Sequence, residues 1–146
     1  MKISAKTEYA CIAVMELAAH YTPNEDGEPV RIKAIAERHS VPPRFLVQIL
    51  LQLKGAGIVS STRGASGGYN LKRNPEQITL AEVMSIIEAP PVTGKRAAMM
   101  APVHDSKASA VGILQEAWDI AEKKRQDYLG SLTFAELARR MPQEPK

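Results

Sequence analysis

The stretch "IKAIAERHSVPPRFLVQILLQLKGAGIVSSTRGASGGYNL", Ile32 to Leu71, restricts the fold more than any other part of the chain. Its opening, "KAIAERHS", predicts a two-turn helix that buries Ile35 and Ala36. After "HSVP" a second helix begins, because Pro43 suits a first helical turn, where its missing N–H costs nothing. Leu46, Ile49, Leu50 and Leu53 recur at helical spacing and face inward, and Gly55 and Gly57 suit the C-terminal stop. Arg44, Val47, Gln48, Leu51, Gln52 and Lys54 fall on the other sides. Two helices joined in this way, with polar and basic groups outward, have the outline of a helix-turn-helix. Helix pairs are common, so the outline alone is not specific.

The flanking segments sharpen it. Before the pair, Ala10, Val14, Leu17, Ala18 and Tyr21 form one stripe of an amphipathic helix running from Ser4 to about Tyr21. "TPNEDGEP" is a turn-rich acidic loop, and "VRI" is a short strand or a lead-in. After the pair come a strand, "GIVSST", a glycine-rich turn, and a second strand, "YNLKR". Three helices followed by a hairpin make a winged helix-turn-helix. Gly64, Gly67 and Gly68 allow positive φ and close backbone approach. Arg63 at the tip can then reach a phosphate or enter a narrow minor groove.

Charge agrees with a polyanion-facing surface. Residues 31–75 hold eight basic side chains and one acid, Glu37, for a net +7 in a chain whose total is only +3. A solvated face would look the same from charge alone.

Further along, "ITLAEVMSIIEAP" opens with a capping box, Thr79 with Glu82, and lines up Leu80, Val83, Met84 and Ile87. Pro90 and Pro91 end it. Residues 89–108, with three prolines and no period, read as a flexible linker or effector loop. A long helix follows from about Ser109 to Leu129. Val111, Leu114, Trp118, Ala121, Arg125 and Tyr128 form a coiled-coil seam, and Ile113, Ala117 and Ile120 a second stripe. Such a helix needs partners on two sides, one from a second subunit. Thr133 with Glu136 starts a short last helix, and "PQEPK" is a tail. The expected division is therefore a DNA-binding domain over 1–88, the linker over 89–108, and a dimerisation region over 109–146.

Single residues add little chemistry. Cys11, the chain's one cysteine, excludes an internal disulfide and reads as a buried, inert thiol. His20, His39 and His104 are scattered along the chain, so no metal site is expected. Met99 and Met100 read as exposed linker filler, with the lining of an apolar effector pocket as the alternative. No nucleophile–base pair, useful carboxylate pair or phosphate loop appears, so no catalytic residue is assigned. No apolar run spans a membrane, and "MKISAKTEYA" lacks a signal peptide's apolar core, so a cytoplasmic location is expected.

"KTEYACIAVMELA", the Ile32–Leu71 stretch, "ITLAEVMSIIEAP" and "LTFAELA" together resemble the Rrf2 family of bacterial transcriptional regulators. The family includes the iron–sulfur cluster regulator, the nitric-oxide-sensing repressor and the cysteine-metabolism repressor. The resemblance covers nearly the whole chain, is weakest over 89–110, and is most specific in "AGIVSSTRGASGGYNL". It implies a mainly α homodimer: a winged helix-turn-helix with a small β-hairpin wing, a long C-terminal dimerisation helix, and a pseudo-palindromic double-stranded DNA operator.

At the matching positions, the resemblance puts Pro42, Arg44, Val47 and Gln48 on the recognition helix and Arg63 in the minor groove. Lys6 and Tyr9 stand near the phosphate-contacting start of the first helix. Val47 stands where several members have a glutamate, so at this position a thymine methyl is the most it can touch. Cluster-binding members hold three cysteines before the tryptophan-bearing helix. This chain has none there; Gln115 stands three residues before Trp118, and Glu8 alone cannot hold a cluster. The expected cofactor is none. The expected function is a cluster-less dimeric DNA-binding regulator, a repressor. A second reading makes the linker and long helix a docking surface for a metabolic enzyme, and a third makes the linker a small-effector pocket.

Overall fold

The computed structural model describes residues 2–24, 27–65, 67–88 and 109–142. The first helix, α1 (Ala5–Ala19), starts where Ser4 caps it, the hydroxyl accepting from the Thr7 N–H at 3.1 Å. Ala10, Ala13, Val14 and Leu17 on α1 are essentially inaccessible. Helix α2 (Ile32–His39) ends on Ser40, which takes the left-handed conformation at φ 55°. Helix α3 (Pro43–Gly55) follows, with Pro43 in the first turn. Its ridge of Leu46, Ile49, Leu50 and Leu53 has no exposed surface, and each such burial contributes roughly 1.5–3 kcal/mol. Gly57, at φ 80°, makes the turn out of α3.

Strands β1 (Val59–Thr62) and β2 (Gly68–Leu71) pair antiparallel, with Val59 opposite Leu71 and Thr62 opposite Gly68. The "VRI" segment supplies a single bridge residue rather than a full strand. Val30 and Tyr69 exchange both backbone hydrogen bonds, at 2.9 and 2.8 Å, so β2 lies between β1 and Val30. A 3-10 turn over Pro75–Gln77 leads into α4 (Leu80–Glu88), whose first turn is capped by Thr79, the hydroxyl accepting from the Glu82 N–H at 3.2 Å. Val83, Met84 and Ile87 are buried and Leu80 is half-buried. Pro90, Pro91 and the whole 89–108 linker, with Met99, Met100 and His104, lie outside the described residues.

Helix α5 (Ala110–Ser131) is capped by Ser109, and α6 (Phe134–Arg139) by Thr133. The sequence groups α6 with the dimerisation helix, but its packing is with the N-terminal core. Phe134 is completely buried in the core cluster that α1, α3 and α4 build, and α6 lies against α1. Two backbone hydrogen bonds fix this return: Leu80 N–H to Leu132 C=O, and Phe134 N–H to Ile78 C=O, both 2.9 Å. Amphipathic period cannot reveal such a partner, because it specifies an apolar face without saying what covers it.

Candidate nucleic-acid interface

The inward ridge of α3 fixes what the helix turns outward. With Leu46, Ile49, Leu50 and Leu53 locked in the core, Arg44, Val47, Gln48 and Leu51 are left exposed. Pro42, the N-cap, holds extended backbone at φ −60°, ψ 128°, and with Pro43 sets the angle at which α3 enters. The Arg44 guanidinium lies 5.2 Å above the Phe45 ring, whose centroid is 5.7 Å from that of Tyr9. Cation–π stacking thus holds Arg44 on an aromatic pair rooted in α1. Tyr9 is half-buried and braces Phe45, while Lys6 stands one turn earlier on the same side of α1. Phe45 stands off the apolar stripe of α3, so spacing alone does not single it out.

The wing glycines divide the two roles expected of them. Gly64 alone takes positive φ, at 106°. Gly67 and Gly68 are needed for space. A Cβ on Gly67 would stand 2.2 Å from the Thr62 carbonyl oxygen, and one on Gly68 2.5 Å from that of Val30. Backbone atoms cannot retreat as a side chain does, so Gly68→Ala is expected to cost about 1–3 kcal/mol by forcing Val30 off β2. A thermal melt should show a midpoint several degrees lower; an unchanged midpoint contradicts this packing.

Charge around the wing is partly committed. Arg38 donates to Glu16 at 2.6 Å, and Arg73 to Glu82 at 2.7 Å, so two of the eight cations in the basic block face acids from outside it. Arg31 donates to the Ala65 carbonyl and ties the wing tip to the start of α2. Lys54 donates to Ser61 at 2.7 Å and ties the end of α3 to β1. Arg44, Arg63 and Lys72 are exposed with no acid beside them among the described residues.

Two of the three histidines are not scattered in space. His20 and His39 both contact the buried Glu16 carboxylate, at 3.1 and 2.9 Å, beside Arg38. Chain distance hid this, because α1 and α2 end next to each other only once folded. Burial pushes the Glu16 carboxyl up, but hydrogen bonds from His39 and His20 and the Arg38 guanidinium outweigh it, holding the group below its ordinary range. The Cys11 thiol is pushed up to about 12 by burial and by the nearby Glu88 and Glu8 carboxylates. A thiol in that state is neither a nucleophile nor a ready ligand. Among the described residues no group of three or more His, Cys, Asp or Glu side chains could hold a metal ion, and no helix is long and apolar enough to cross a membrane.

Along α5 the apolar side chains face outward. Val111, Ile113, Leu114, Trp118, Ile120 and Tyr128 are all exposed, and only Leu129 is buried. Ala117 and Ala121 are exposed as well, and Arg125, in the seam, is held by a two-pronged contact with Glu122.

The family model for Rrf2, described as an iron-dependent transcriptional regulator, matches residues 3–140. The chain belongs to the Rrf2 family. Within it, the chain is 37% identical over 91 residues to the HTH-type transcriptional regulator CymR of Bacillus subtilis, covering 62% of each protein. It spans less than two thirds of the length of several curated relatives, 57% of one from Synechocystis sp.. The solved structure of B. subtilis CymR, the global cysteine regulator, superposes with a TM-score of 0.76 at 28% identity, covering 97% of this chain and 99% of that one. IscR of T. potens gives 0.72 at 29% identity, with 99% and 94% covered. The fold is a winged helix-turn-helix with a long C-terminal helix, and the family to which the chain belongs is described as one of transcriptional regulators.

Proposed function

We propose that this Rrf2 protein is a homodimeric, sequence-specific repressor that binds a pseudo-palindromic operator in double-stranded DNA without an iron–sulfur cluster. In this reading α3 enters the major groove from Pro42, Arg44, Val47 and Gln48 supply or position base contacts, and the wing carries Arg63 to the minor groove. Lys6 stands over phosphates, with Tyr9 behind it as a brace. The observation that carries the reading is the solvent face of α3 and the wing. It presents Arg44, Lys54 and Arg63, and neither α3 nor the hairpin contains an acid. Steric occupancy of an operator needs nothing beyond these parts, so repression is the proposed output.

The family's iron dependence does not extend to these residues. A cysteine-held cluster needs several thiolates, whereas the chain has one cysteine, half-buried in α1 and held protonated. Protein purified anaerobically is expected to be colourless, with no stoichiometric iron or sulfide. A visible charge-transfer band with bound iron overturns that expectation.

DNA selected from a random pool supplies the operator, and titration at several salt concentrations tests the assignment. Arg63→Ala is expected to weaken binding roughly tenfold and to lower the salt slope by about one, with fold and oligomeric state unchanged. Arg44→Ala should instead change which bases are preferred. If Arg63→Ala binds like the parent at every salt, the wing is only a hairpin.

A further inference from the structure

The outward face of α3 carries two side chains that hydrogen bonding cannot explain. Val47 and Leu51 lie one turn apart and are 44% and 57% exposed, between Arg44 and Gln48 on one side and Lys54 on the other. Nothing among the described residues covers them. Resting on the DNA-binding reading, we propose that Val47 and Leu51 form an apolar ridge that reads the 5-methyl groups of two thymines in each operator half-site.

The chemistry of the major groove selects this occupant. Base edges there offer hydrogen-bond donors and acceptors, and their one apolar group is the thymine methyl. Pressed against any other edge, Val47 or Leu51 would strip water from a donor or acceptor and return no hydrogen bond. Against a methyl, both surfaces leave water favourably. Flanking cations and amides fix the ridge to DNA rather than to a protein partner, because Arg44 and Lys54 at its ends complement phosphates. Helical rise separates the two residues by about 6 Å along the axis, close to two base-pair steps. The two thymines should therefore stand about two steps apart.

The test uses full-length protein and the operator recovered by selection from a random pool. Each thymine is replaced in turn by uracil, which lacks the methyl and keeps every hydrogen-bonding group. At two positions per half-site the affinity is expected to fall about fourfold, with symmetric replacement in both half-sites giving roughly fifteenfold. Val47→Ser should abolish discrimination between thymine and uracil at one of these positions, and Leu51→Ser at the other, while the remaining thymines behave as in the parent. Both side chains are exposed, so the variants should melt like the parent, and a matching melt confirms that binding is compared between folded proteins. Tight operator binding that is indifferent to every uracil overturns the proposal and leaves the DNA-binding reading standing. So does a uracil effect that persists in both serine variants. Absence of any selected DNA overturns the DNA-binding reading and this proposal together.

Discussion

Glu16→Ala is expected to destabilise the protein by about 3 kcal/mol, seen as a fall of about 10 °C in the melting midpoint. The Glu16 side chain is only 4% exposed and receives Arg38 at 2.6 Å and His39 at 2.9 Å. Removing the carboxylate takes the acceptor from a guanidinium that is 25% exposed and an imidazole that is 20% exposed, and breaking a mostly buried pair on one side costs more than the pair contributed. Glu16→Gln keeps the volume and one acceptor and should lose less. Combining Glu16→Leu with Arg38→Met removes both charges and should recover part of the loss, since the apolar pair has nothing left to desolvate. If Glu16→Ala melts within a degree or two of the parent, the cluster is not what joins α1 to α2.

The same carboxylate gives a pH signature. Its folded pKa is lower than its value of 4.5 in the open chain, so its contribution is complete above that value. Stability is then lost as pH falls below about 4.5 and through the folded value, as proton uptake favours the unfolded chain. Chemical denaturation of parent and Glu16→Gln should show curves that converge on acidification, and parallel curves would contradict the assignment.

How much of this could be read from sequence depends on what each feature requires. The helices and their starts were legible because they are local. Ser4, Thr79, Ser109 and Thr133 each accept from an N–H three residues on, and the stripe of α3 is a matter of spacing alone. The wing is legible because one arginine and three glycines stand between two short runs of strand residues within a dozen positions. What escaped depends on which surfaces meet. Glu16, His20, Arg38 and His39 converge only after α1 and α2 dock, and Phe134 finds the core only after the chain returns from α5. The glycines show the same division. Positive φ at Gly64 is a property of one residue, whereas the space that Gly67 and Gly68 leave empty is defined by Thr62 and Val30. Arg38 and Arg73 counted toward a basic surface in sequence, but acids outside the block pair with both.

The exposed length of α5 leads to the other large effect. Trp118→Glu is expected to convert the protein to monomers and to weaken operator binding by at least a hundredfold. Trp118 is 62% exposed, with Leu114 at 51% and Tyr128 at 63% along the same seam. So many large apolar side chains exposed on one helix are what the proposed homodimer would cover. A two-fold arrangement lets the seam cover itself, each Trp118 packing beside the partner's copy of the helix. A glutamate there would place two like charges in a drying interface, where neither can be solvated or paired. In the proposed dimer the second half-site is bound intramolecularly, and linkage of that kind raises affinity by about two to four orders of magnitude. Trp118→Glu should therefore sediment as a monomer, keep its α1–α4 core and melt cooperatively, and bind one half-site weakly with a shallower salt dependence. Since α5 otherwise contributes only Leu129 to the buried residues, loss of the dimer should leave the core intact. A variant that sediments as an unchanged dimer rejects this seam as the interface, and the apolar face of α5 would then need another occupant.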